Sequence, residues 1–325
     1  MVNKKSQIAI LMTLLIILFL LIIATVLYLL YLNIPRDPVD LNINVQKIPE
    51  NIQTPQISNS VVNQFYPNMK FNHKTILYSI DINCDEEQIS RMTQAFNIIS
   101  TRIPQLMFQS STENIDIEIS CTENPEEDIR EDHFIAGEGG AKEIIRTGRF
   151  NIISQGSIYL YDNSDVRTIE CKYPNVEIHE LMHVFGFDHS DDKNSIMFPL
   201  LDSCDQILDP SIINQLTNFY SEENLPDLYF QNVSATKKGR YLDFDITIKN
   251  SGSIDANNSF LTILDDGKEI EEKNLGEIKF GAGISLQTTN LKLAHLNPKK
   301  IEFLIDIDDK IREIDENNND AIIKL

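Results

Sequence analysis

The chain has 325 residues, with 49 acidic against 28 basic side chains and a formal net charge of −21. That excess excludes a nucleic-acid backbone as the main partner, because such partners need clustered Lys and Arg. With 42% hydrophobic residues and only 12 Gly and 12 Pro, the chain is neither a disordered polymer nor collagen-like, and it is long enough for one large domain or two modest ones.

Ile8–Leu32 is a run of 25 residues without a charge. At about 1.5 Å per residue, a helix of that length crosses a hydrocarbon core of about 30 Å with some tilt. Lys4 and Lys5 precede it, whereas Arg36 is offset by Asp37 and Asp40. This asymmetry predicts a cytoplasmic N-terminus, with everything after Asn33 on the outside. A cleavable signal peptide has an apolar core of roughly 7–15 residues and a small-residue cleavage site. This run is longer and ends Tyr28–Leu32 without such a site. Residues 1–33 are therefore expected to be the tip and uncleaved anchor of a single-pass membrane protein. Residues 34–70 carry Pro35, Pro38, Pro49, Pro55 and Pro67 among Asn, Gln and Ser. No period survives there, and the segment reads as a stalk linker.

Thr75–Ile82 has the composition of a strand. Asp85 with Gln88 three positions on forms a capping-box pattern, and Ile89, Met92, Phe96 and Ile99 recur at helical spacing until Pro104. Ile115, Ile117 and Ile119 alternate with polar residues as a half-buried strand. Strand, helix, strand indicates a crossover with parallel neighbours, hence an α/β (α+β) domain over residues 71–224. Glycines cluster at Gly137, Gly139 and Gly140, followed by short strands at Phe150–Ile153 and Ser157–Tyr161. Asp209-Pro210 opens another helix carrying Ile212, Ile213, Leu216 and Tyr220. From 225 to 325 the pattern changes to short alternating stretches, at Tyr241–Ile248, Phe260–Leu264, Lys268–Glu271, Lys300–Ile307 and Ala321–Leu325, with a hairpin signal at Asp266-Gly267. This predicts an all-β sandwich.

The four cysteines, Cys84, Cys121, Cys171 and Cys204, lack C-x-x-C spacing, which argues against a cysteine zinc site. Outside the cytosol an even number favours disulfides, and four allow three pairings. Cys84–Cys121 is favoured because each ends a predicted strand, leaving Cys171–Cys204 to bracket the motif below. Four buried free thiols are the alternative.

Residues 179–189 read HELMHVFGFDH. His179 and His183, four apart on a helix, project from one face and can share a metal. Glu180 points about 100° around the axis, which lets it reach a water beside the metal without ligating it. Gly186 can take the left-handed conformation that stops the helix and returns His189 as a third ligand. Three imidazoles leave Zn²⁺ an open position for water, the arrangement of a catalytic rather than a structural site. Glu180 is then placed to act as general base. Ser195-Ile196-Met197-Phe198-Pro199 follows a short loop.

H-E-x-x-H-x-x-G-x-x-H followed by a methionine turn resembles the metzincin clan of zinc peptidases, and His189-Ser190 with the Ser-Ile-Met-Phe-Pro turn is most similar to its matrixin branch. The resemblance implies a mixed sheet with an active-site helix, zinc on His179, His183 and His189, Glu180 as base, and Gly186 and Met197 as structural residues of the site. It also implies an antiparallel edge strand that aligns substrate, expected at Gly156–Tyr161 with Gly156, Ser157, Ile158 and Tyr159. Phe198 and Pro199 are expected to wall the pocket for the residue after the cut. Phe198 departs from the tyrosine usual in matrixins. No pro-segment cysteine motif is recognisable.

Asp227-Leu228, Ile248–Gly252 and Asp306–Asn319 resemble CARDB-like domains, immunoglobulin-like sandwiches of prokaryotic surface proteins, which implies a surface protein or glycan as partner or a spacer role. The acidic, amide-rich Asp306–Asn319 offers oxygen ligands for Ca²⁺ but lacks a defined loop, and reads first as a solvated turn. Asn232 and Asn257 each open an N-x-S sequon. The expected function is a membrane-anchored, extracellular zinc metalloendopeptidase acting on peptides or proteins. The alternatives are a surface adhesion protein with a structural zinc site, or a zinc amidase on cell-envelope amides.

Overall fold

The computed structural model describes residues 4–33, 38–41, 44–45, 62–123, 135–162, 171–201 and 203–325. Helix α1, Lys4–Asn33, contains a span from Leu11 to Tyr31 with a mean hydropathy of 3.0, and none of that span is buried in protein. Apolar on every face, α1 has no polar side to turn towards water.

Short strands occur within the segment expected to be a stalk. Pro35, Pro49 and Pro55 lie outside the described residues. Between them, β1 (Val39–Leu41) and β2 (Asn44–Val45) are strands, and both pair with strands of the C-terminal domain described below.

The first domain is built from β3 (Met69–Lys70), β4 (Thr75–Ile80), α2 (Glu86–Arg102), β5 (Met107–Ser110), β6 (Ile117–Glu123), β7 (Gly137–Arg146), β8 (Asn151–Asp162), α3 (Asn175–Val184) and α4 (Pro210–Ser221). The capping box forms as expected: Gln88 N–H donates to the Asp85 carboxylate, and Asp85 N–H to the Gln88 side chain. Strands β5, β4, β6 and β8 run parallel in that order. Strand β7 pairs antiparallel with β8 from Asn151 to Leu160, with Gly137 opposite Leu160 and Arg146 opposite Asn151. Residues 156–160 of β8 pair with both β6 and β7, so β7 is the antiparallel strand at the sheet's edge. Met92, Phe96 and Ile99 of α2 pack with Ile76, Ile117 and Ile158 of the sheet and with Leu181, Met182 and Phe185 around α3, all buried in one core. Two disulfides, Cys84–Cys121 and Cys171–Cys204, have the favoured connectivity.

The second domain is a sandwich of β9 (Leu228–Lys238), β10 (Tyr241–Asn250), β11 (Ala256–Asp265), β12 (Lys268–Ile278), β13 (Gly283–Lys292), β14 (Lys300–Ile305) and β15 (Asp320–Lys324). One sheet has the order β1-β9-β10-β13 and the other β12-β11-β14-β15-β2. Strands β1 and β2 thus close one edge of each sheet, with Val39 opposite Lys237 and Ala321 opposite Val45. Phe230, Phe244, Leu261 and Phe303 fill the space between the sheets. Asp266 and Gly267 both have positive φ, 49° and 80°, as a two-residue turn matching the strand twist requires. Strands β9 and β13 escaped the sequence reading. Strand β9 runs out into Ser234-Ala235-Thr236-Lys237-Lys238, and in β13 exposed polar residues dilute Ile284, Leu286 and Leu291.

The domains meet where the β7–β8 turn touches the start of the sandwich. Arg149 Nε donates to Asp227 Oδ2 at 2.8 Å, and the Thr147 hydroxyl donates to Ser251 O at 2.7 Å. Asn224, in the connection, accepts from the buried Lys70 ammonium of the first domain and from the Ser253 hydroxyl of the second.

Candidate metal centre

Helix α3 is fixed before any metal is considered. Arg91 of α2 grips Glu177 with two donors, Nε to Oε1 at 2.8 Å and Nη2 to Oε2 at 3.2 Å, while its Nη1 donates to Cys171 O. A planar fork of this kind fixes orientation as well as distance. At the other end Gly186 N–H donates to His183 O and Phe187 N–H to Met182 O, the paired bonds of a Schellman stop. Gly186 has φ +85°, and a Cβ there would lie 2.3 Å from Met69 Sδ. Conformation and space both require glycine.

The turn brings three imidazole Nε2 atoms together. His179 Nε2 lies 3.0 Å from His183 Nε2, which lies 3.3 Å from His189 Nε2. Tetrahedral Zn–N bonds of about 2.1 Å place neighbouring donors about 3.4 Å apart, so the triad has the dimensions of a zinc site. The far nitrogens agree with this: His179 Nδ1 faces Ile196 O and His183 Nδ1 faces Phe187 O, each at 2.7 Å. A carbonyl can only accept, so both rings carry the proton on Nδ1 and turn a lone pair inward. Burial pushes His179 down to about 4 and His183 below its ordinary value, which keeps both rings neutral. His189 is exposed.

Glu180 is buried, and burial first, then the nearby Glu138 charge, pushes its carboxyl up to about 8, although Gly139 N–H donates to it. The glycine cluster explains this closeness. A Cβ at Gly139 would sit 2.2 Å from Glu180 O, and one at Gly137 would sit 2.9 Å from Glu180 Cγ. Strand β7 is glycine-rich because it lies directly against the metal-binding helix. The sequence displayed these glycines, but their role needs the partner surface. Arg91 and Glu177 were likewise invisible, being 86 positions apart.

Met197 is wholly buried. Its turn is tied down by Ser195, whose hydroxyl donates to Asp209 Oδ2 at 2.5 Å and accepts from Met197 N–H at 2.9 Å. Asp209 therefore does not cap α4 with its side chain, although it occupies the cap position. Phe198 is half-buried and Pro199 exposed, directly after the turn.

One expectation fails. Gly156, Ser157, Ile158 and Tyr159 belong to β8, which is paired on both sides and is not an edge. Gly156 instead makes room for α3, since a Cβ there would lie 2.5 Å from Val184 Cγ1. The two short strands read from the sequence are one long strand, and the glycine-broken β7 gave no strand signal although it holds the edge.

The matrixin family model matches residues 70–221, and the CARDB model matches residues 225–322. A matrixin match and a CARDB match thus follow one another along the chain. Among curated proteins none matches the chain. The CARDB part is similar to solved domains: one of a Pyrococcus furiosus protein in complex with di-metal ions (16% identity, 31% of this chain, 87% of that chain, TM-score 0.27), and one of a cell-surface candidate from Methanosarcina acetivorans (16%, 31%, 91%, 0.25). Matrixins are zinc-dependent metalloproteases, and the triad lies within the matrixin domain.

Proposed function

We propose that the chain is a membrane-anchored zinc endopeptidase whose matrixin and CARDB domains act outside the cytoplasm. The observation that carries this reading is the convergence of three imidazole Nε2 atoms beside the buried carboxyl group of Glu180. His179, His183 and His189 would hold the ion, and zinc bound there supplies Lewis acidity towards a carbonyl and a water. Glu180 takes the proton of the attacking water as its oxygen bonds to the carbonyl carbon. It then delivers that proton to the amide nitrogen as the C–N bond breaks. Gly139 N–H keeps the carboxylate aimed during both transfers.

The outer edge of β7 is the surface on which an extended peptide can add as a further strand, with main-chain groups supplying register. Because Gly137 and Gly139 touch Glu180, a strand laid there passes beside the triad. Phe198 and Pro199 stand ready to line the pocket beyond the cut. The two disulfides support an oxidising compartment, and α1 supports anchoring.

Glu180→Gln in the full chain tests the assignment. It should retain one equivalent of zinc by elemental analysis while peptide hydrolysis falls about 10²–10⁴-fold. His189→Ala should instead lose zinc. Undiminished turnover in Glu180→Gln would leave a structural site on an adhesion protein as the better reading.

A further inference from the structure

The two ends of the CARDB sandwich differ in charge. One end is formed by the β9–β10 turn, the β11–β12 turn and the β13–β14 connection. It carries Lys237, Lys238 and Arg240 in a single turn, Lys292 opposite Tyr241 on β13, and, at the same end of the other sheet, Lys299 just before β14 and Lys324 on β15. Acidic side chains are present there too: Asp243 pairs with Lys238 at 2.7 Å and Glu302 with Lys300 at 2.7 Å. Asp265 is buried against His295, and Asp266 accepts the N–H groups of Lys299 and Lys300. Asp40 accepts from Thr236, and Glu269 is exposed. The basic groups remain in excess at this end of a chain whose net charge is −21. At the opposite end the Asp306–Asn319 segment has six acidic and two basic residues, and that end meets the matrixin domain through Asp227 and Ser251.

Chain length decides which end faces the membrane. Helix α1 ends at Asn33, and Val39 already lies opposite Lys237. Five residues cover at most about 18 Å even when fully extended. Strand β1 runs antiparallel to β9, so it enters at the Lys237–Arg240 turn and heads away from it.

We propose that this basic end of the CARDB domain docks on the anionic headgroups of the bilayer that α1 crosses, making the C-terminal domain the pedestal and the matrixin domain the distal unit. The proposal rests on reading α1 as a membrane span. Each Lys or Arg near an anionic surface adds about fivefold to association, and the short tether from α1 keeps the turn within reach of the headgroups. The ten residues of β10 then lift the matrixin domain by about 34 Å.

All four native cysteines are in disulfides, so an introduced cysteine can be labelled alone. The full chain carrying Lys238→Cys, or Asp308→Cys at the far end, is labelled with a fluorophore. It is then reconstituted into phosphatidylcholine vesicles with or without phosphatidylglycerol, with a quencher on the headgroups. We expect the label at 238 to be quenched at least threefold more than that at 308. The difference should grow with phosphatidylglycerol and shrink when Lys237, Arg240 and Lys292 are all changed to Glu. If the chain floats with the vesicles after an alkaline wash but the two labels are quenched equally, docking is refuted while the anchor stands. So too if the triple change has no effect. If the chain does not float, the anchor reading falls and docking falls with it.

Discussion

A single hydrogen is all that residue 139 can carry. A methyl group would overlap the Glu180 carbonyl at 2.2 Å, and backbone cannot rotate aside as a side-chain tip can. Gly139→Ala should therefore push β7 off α3, costing about 1–3 kcal/mol in denaturant unfolding and lowering turnover. Gly140→Ala is the matched control, because nothing lies within 4 Å of a Cβ there, and it should leave both unchanged. The histidines were legible because helical spacing alone puts His179 and His183 on one face. The glycines were visible as a cluster but not as a contact, because their neighbour is a backbone 41 positions away, and one-dimensional spacing does not encode that.

Among the elements, those with a strong period or a local cap were readable. Helix α2 carries both, and its box forms as spelled. Strand β7 has glycine where alternation would show, so it carries no strand signal, and the edge that the family resemblance implies falls in the sequence on its neighbour β8. The connection before β15 illustrates another buried cost. Burial pushes the Glu313 carboxyl up to about 8, with Leu228 N–H and the Asn319 amide opposing the rise and Glu316 and Asp227 adding to it. A folded value above the unfolded one means that the native state holds the extra proton. Stability is full below about 4.5 and falls as pH rises through about 8, by an order of a few kcal/mol. Unfolding midpoints across pH 4 to 9 should decline more steeply in the wild type than in Glu313→Gln, which cannot titrate. A parallel decline would assign the slope to other groups.

For the whole molecule, the two domains are joined by polar contacts rather than by a shared apolar core. Asp227 is fully buried, and Arg149, 12% exposed, is its cationic partner. Asp227 also accepts from the Ser251 hydroxyl and the Asn318 amide. Arg149→Ala leaves that carboxylate buried without its counter-charge, a loss of about 3–5 kcal/mol. Calorimetry should show one transition in the wild type resolving into two in the variant, with the matrixin core little changed in its own midpoint. Retention of a single transition would show that Thr147, Lys70 and Asn224 suffice to couple the domains.

The pairing of β1 with β9 links positions 39 and 237, which sets an order on biogenesis. On the proposed topology, the first residues to emerge beyond the bilayer have no partner until nearly two hundred more have followed. Vectorial synthesis of a chain with that topology keeps a short, strand-forming stretch idle until the residues that match the matrixin model have all been made. Closing so long a loop is slow compared with local folding. The sandwich's outer edges stay open to stray partners until that closure, and a chaperone at the export site would find its client there.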